Sequence, residues 1–373
     1  MDLLTSIGGG TGLILVTAAS AYRKARLARR PAPAPPRTGG RTINPADYGL
    51  VPRTGLIVQG NEITPEVAAA LEAARVGDWR PAAGYLGRRG TDWDLAWTRL
   101  GPFHDLVLED DRWLQAWRQE QPDNADAALL HADGLVGVAW QIRSSKLAPE
   151  VSREQFEGFH RVLREAEQAA YEAIQLAPTH DPNPYVVLIA AAMGLNWPND
   201  RFRALWSEIA SRAPQHWRAH DRALQYWCQK WHGSHELMHG FIDNAIATAP
   251  AGSLLPMLKL EAFREQFTRD DEPMTAWQRP EVTAALDTAL ADLAAADPAH
   301  PRLMAARGWL AYGLTRNGRG AEATEQYRAL GNMVTWPWSG FNDPVGSFVG
   351  MRADAVLAML EAQAAGAGSH AAS

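Results

Sequence analysis

Apolar positions recur at helical spacing in two neighbouring stretches, and the stretches match. Phe202, Leu205, Trp206 and Ile209 stand 36 positions before Met238, Phe241, Ile242 and Ala245. Each set follows the i, i+3, i+4, i+7 pattern of one helix face. The match extends to a whole unit: residues 179–214 and 215–250 close on Ala213-Pro214 and Ala249-Pro250, and Ala177-Pro178 closes the segment before them. A proline lacks an N–H and disfavours helical geometry in the residue before it, so each unit ends there. Asn199 or Asp200 is placed to cap the second helix of the first unit, and Ser234 that of the second, by accepting free backbone N–H groups. Residues 184–193 and 219–230 supply the partner helices. Two short helices cannot each bury a face alone, so they pack on each other and on the next pair.

The same grammar predicts helices elsewhere: one opening at Thr64-Pro65-Glu66, where Thr caps and Pro takes the first turn, then 106–119, 124–144, 153–176, 254–267, 280–295, 301–315, 321–330 and 345–365. Residues 333–346, rich in Trp, Gly and Pro, form a loop whose aromatics tuck against the last helices.

Small residues fall where two helices would cross, with glycine at the turn and an aromatic or leucine four positions after the small residue. Ala70, Gly77, Ala82 and Leu86 do this near the start; Ala311, Gly318, Ala323 and Tyr327 do it near the end. In this the chain resembles the tetratricopeptide repeat, with a 36-residue period against the usual 34 or so. The segment KWHGSHELMHGFIDNAIATAPAG is also similar to uncharacterised bacterial repeat proteins. The resemblance implies an all-α, right-handed solenoid of antiparallel hairpins over residues 61–365. It also implies a protein- or peptide-binding scaffold as the function, with no cofactor.

Charge divides the chain. Seven of the 36 basic and two of the 42 acidic residues fall in the first 50, giving +5, so the other 323 carry −11. An acidic body argues against nucleic acid, since phosphate binding wants a basic face. Residues 3–22 carry no charge, and Arg23, Lys24, Arg26, Arg29 and Arg30 follow at once. That length can cross a bilayer, and the basic flank would stay in the cytoplasm. The expectation is a membrane anchor with its basic flank over 1–30 and a Pro/Gly-rich linker over 31–60. The helical body then lies at the cytoplasmic face, and a disordered tail covers 366–373. Within the anchor, GGGTG lacks the strand and following Lys-Ser or Lys-Thr that a phosphate loop needs. The single cysteine, Cys228, sits between two helical tryptophans and excludes an internal disulfide.

One motif is chemically loaded. His235-Glu236-Leu237-Met238-His239 is HExxH, in which two histidines one turn apart hold zinc and the glutamate acts as general base. A third ligand is required, and Glu261 is the candidate. The alternative function is therefore a zinc peptidase with Glu236 catalytic and His235, His239 and Glu261 on the metal. Against it, the apolar register makes Met238 the core residue and turns Glu236 away from the core, and Glu236 in the first turn suits the positive helix end. The reading preferred here assigns no catalytic residue and no metal ligand.

Overall fold

The computed structural model describes residues 43–60, 63–88, 90, 92–143 and 151–371. The anchor expected at residues 3–22, and residues 1–30 as a whole, lie outside them. Among the described residues no helix is long and apolar enough to cross a membrane.

The chain is all-α. Its helices are α1 (Pro65–Arg75), α2 (Arg80–Leu86), α3 (Trp93–Glu109), α4 (Arg112–Glu120), α5 (Ala125–Arg143), α6 (Arg153–Leu176), α7 (Asn183–Gly194), α8 (Asn199–Arg212), α9 (Trp217–Tyr226), α10 (His235–Thr248), α11 (Met257–Arg269), α12 (Pro280–Ala295), α13 (Leu303–Asn317), α14 (Gly320–Leu330) and α15 (Pro344–Ala371). The described strands are two short ones, β1 (Ile57–Val58) and β2 (Met333–Val334), which pair in parallel.

Local chemistry fixes the ends. Thr64 Oγ1 accepts from the Val67 N–H to open α1, and Ser234 Oγ accepts from Leu237 N–H to open α10. A reciprocal capping box, Ser152 with Gln155, opens α6. Gly318 in the left-handed conformation, φ +88°, ends α13 where a side chain would be strained. The cap expected at α8 is different. Pro198 precedes that helix without a side-chain cap, because Asn199 is spent elsewhere: its Oδ1 accepts from the Tyr226 hydroxyl and its Nδ2 donates to the His232 carbonyl. The helix expected at 106–119 is split by Asp110 and Asp111 into the end of α3 and all of α4.

The odd-numbered helices touch one another in succession from α1 to α15, and α2, α6, α8, α10, α12 and α14 each pack on the helix before them. The packing is close enough that Gly194 admits no side chain: a Cβ there would lie 2.3 Å from Leu163 on α6. Phe202 and Met238, 36 residues apart, are both fully buried.

Two apolar cores result. One gathers side chains from Val67 to Ala262 and the other gathers Leu50 with side chains from Leu254 to Met359. Helix α11 belongs to both. Leu258 and Ala262 enter the first core, while Met257, Leu260, Phe263 and Phe267 enter the second. The residues 333–346 loop behaves as its aromatics suggest, with Trp338 fully buried against Phe348 and Tyr327.

Two boundaries depart from the sequence reading. Residues 43–60, inside the stretch expected as a linker, pack onto the second core. Leu50 is buried there, β1 pairs with β2, Arg328 Nε donates to the Tyr48 carbonyl, and Arg352 Nη1 donates to that of Val51. A Gly- and Pro-rich segment can dock this way because its backbone makes these polar contacts, through the Tyr48 and Val51 carbonyls and the Ile57 and Gln59 N–H groups. At the other end α15 runs on to Ala371, where a disordered tail is expected from residue 366. Its alanine-rich sequence carries high helix propensity.

Candidate functional site

The HExxH residues lie at the start of α10, facing α11. His235 Nε2 is 3.0 Å from Asp270 Oδ1, and His239 Nε2 is 2.8 Å from Gln266 Oε1. Glu236 is exposed and Met238 is buried in the first core. Glu261 is also buried, but its Oε1 accepts from Gln225 Nε2 of α9 at 3.3 Å. At about 100° per residue, Glu261 sits roughly 140° around α11 from Gln266. The third ligand of the peptidase alternative therefore points to α9 and not to the histidines. Among the described residues, no group of three or more His, Cys, Asp and Glu side chains is placed to hold a metal ion.

The densest polar chemistry lies elsewhere, where the amino ends of α3, α7, α9, α11 and α13 meet. Asp94, in the first turn of α3, accepts from the backbone N–H groups of Trp217 (2.7 Å) and Arg218 (3.3 Å), so it caps α9 from a distant part of the chain. Arg302, just before α13, donates from Nη2 to the same carboxylate at 3.1 Å, and its guanidinium lies 4.5 Å from the centre of the Trp217 ring. Trp217 Nε1 in turn donates to the Leu254 carbonyl at the approach to α11. Asn183 of α7 donates to the Trp93 carbonyl and accepts from His216. Burial pushes the Asp94 carboxyl up, but Arg302, His216 and the two amides outweigh it and hold it below the usual range.

His216 shows how the node keeps its charge state. Its Nδ1 accepts from the Ala219 N–H at 3.3 Å, so Nε2 carries the hydrogen donated to Asn183 Oδ1 at 2.9 Å. Burial lowers its pKa to about 4, against the opposing pull of Asp94. The ring is therefore neutral near pH 7, and its 3.4 Å approach to Asp94 is not an ion pair there.

A second buried group adjoins the first. Asp133 of α5 sits 2.5 Å from His104 Nδ1 of α3 and accepts from Arg222 Nη2 of α9 at 3.2 Å. Burial alone would raise this carboxyl, yet His104 and Arg222 hold it well below the usual carboxylate range. Arg222 also donates to the Val186 carbonyl and lies over the Trp97 ring at 4.6 Å. His104 Nε2 faces Gly137 so closely that a Cβ there would stand 2.8 Å away. Chemically these groups form a desolvated, mutually neutralising network. It orients helix ends and presents the half-buried Trp217, Arg218 and Arg302 at its edge.

His216 and His220 stand one helical turn apart in the sequence, but Asp94, Asp133, His104, Arg222 and Arg302 carry no local signal. The hydrogen-bonded partners of Asp94 lie up to 208 positions away.

No family model matches the chain, and no curated protein and no solved structure matches it.

The buried neutral histidine gives stability a pH dependence of fixed sign. Between about pH 6.5, its ordinary pKa, and about pH 4, the unfolded chain binds a proton at His216 that the folded chain refuses. Lowering pH through that window therefore favours unfolding, by on the order of 3 kcal/mol for this group. Urea midpoints between pH 7.5 and 4.5 should fall, and His216→Gln should flatten the fall. An unchanged slope in the variant would mean that His216 is not buried neutral.

Proposed function

We propose that the chain is a helical-repeat scaffold that binds a protein or peptide, built as a right-handed solenoid of degenerate tetratricopeptide-like hairpins. The observation that supports this most is the unbroken succession of odd-numbered helices, each touching the next, with α2, α6, α8, α10, α12 and α14 each packed on the odd-numbered helix before it. Stacked hairpins of this kind present one extended surface made of the first helices of successive pairs, which suits a long, shallow partner. The acidic body keeps the partner class to protein or peptide and away from nucleic acid. The peptidase alternative gains no support from His235 and His239, whose Nε2 atoms are engaged by Asp270 and Gln266.

Capture with the full chain should bring down a protein at comparable stoichiometry. Hydrogen exchange of the complex should then show protection on odd-numbered helices. Protection confined to even-numbered helices, or zinc-dependent peptide cleavage without a bound partner, would contradict the scaffold reading.

We further propose that residues 3–22 tether this body to the cytoplasmic face of a membrane, with the basic residues 23–30 on the inner side. Cells expressing the full chain and a chain starting at Arg41 separate the possibilities. Carbonate-resistant membrane association, lost in the truncation, fits the tether. A full chain that stays soluble, or leaves the membrane with salt alone, removes it.

A further inference from the structure

Helix α3 touches α5, α5 touches α7, α7 touches α9, and α9 touches α3 again. In an open stack of hairpins each unit meets only its neighbours, so α5 and α7 would hold α3 and α9 apart. Here the succession turns tightly enough to bring them together. Asp94 of α3 accepts from the first N–H groups of α9, and Asn183 of α7 donates to the Trp93 carbonyl, so these three helices begin at the same end.

The inside of this ring is filled by its own side chains. Arg222 of α9 reaches each of the other three helices. It donates to Asp133 of α5 and to the Val186 carbonyl of α7, and its guanidinium lies 4.6 Å from the centre of the Trp97 ring of α3. His104 of α3 takes the second carboxylate oxygen of Asp133. Trp97, His104, Asp133 and Val186 are all buried, and 11% of the Arg222 side chain is accessible. With α6 and α8 packed on it as well, α7 is buried at every residue except Tyr185. A groove kept for a partner would leave its lining open to water in the free chain. This lining is desolvated already, and its charges are matched to one another rather than to a ligand.

We infer that α3, α5, α7 and α9 form a closed four-helix bundle within the succession of hairpins, and that no partner lies along their inner faces. The second half of this inference rests on the scaffold reading and narrows it. The surface open to a protein or peptide along the odd-numbered helices then falls on the helices outside the ring and on helix ends.

Hydroxyl-radical footprinting of the full chain, read residue by residue, tests the closure without a variant or a partner. Trp97 lines the ring, Trp93 and Trp217 stand half-buried at its amino end, and the fully buried Trp117 is the internal control. Trp97 should be oxidised several-fold more slowly than Trp93 and Trp217, at a rate close to that of Trp117. A double-mutant cycle of Trp97→Leu with Arg222→Met reads the contact between α3 and α9 itself. The two changes should couple by about two- to thirtyfold in the unfolding equilibrium constant, the range for a cation over an aromatic face. Oxidation of Trp97 at the rate of Trp93, or additive effects of the two substitutions, would overturn the closed bundle and leave the scaffold reading untouched. A protected Trp97 in a chain that captures no partner would do the reverse.

Discussion

Everything in this structure depends on one helix being buried on both sides. An ordinary surface helix commits one stripe to a core and leaves the rest to water. Helix α11 commits two, because neighbours such as Leu258 and Leu260 point to opposite sides and into different cores. That arrangement drags Glu261, Arg264 and Glu265 out of solvent with it, and an unpaired buried charge is costly. Lys230 meets Glu265 at 2.7 Å and Gln225 meets Glu261. The rings of Trp309, Trp336 and Phe341 lie about the Arg264 guanidinium within 5.8 Å. The polar partners are thus a condition of the shared wall, and the shared wall lets two cores exist in one continuous succession of helices.

The node around Asp94 solves the complementary problem at the helix ends. Each helix begins with backbone N–H groups that have no partner within it. Where several amino ends converge, water cannot serve them all. Asp94 serves α9, His216 caps the same helix with a neutral ring, and Asn183 ties α7 to α3. Positive helix ends and carboxylates attract, so one aspartate brings three parts of the chain together.

Much of the helix pattern can be read from the sequence, for reasons specific to each element. The spans 153–176 and 280–295 are recovered as they stand, since Ser152 with Gln155 opens the first and Pro280 opens the second. Met238 reads as core because its 36-residue counterpart is Phe202. The failures are equally physical. Apolar spacing runs straight through Asp110 and Asp111, where the chain breaks α3 from α4. Asn199 has the chemistry of a cap, but Tyr226 and His232 claim it. Residues 43–60 look like a linker because, Leu50 apart, much of their docking uses backbone N–H and carbonyl groups, which carry no residue-specific signal. The Asp94 node cannot be seen at all before folding, as its members come from distant helices. HExxH is visible, but nothing local shows that Asp270 and Gln266 stand at the Nε2 atoms of its two histidines.

Helix α11 is a wall common to both cores, and two truncations on that helix put this to the test. Leu258→Ala and Leu260→Ala remove fully buried side chains from opposite faces. Measured by urea unfolding of the full chain, each should cost about 2–5 kcal/mol, the range for a large-to-small change in a packed core. If either substitution leaves stability unchanged, that face of α11 is not packed, and the account of two cores joined through one helix is wrong.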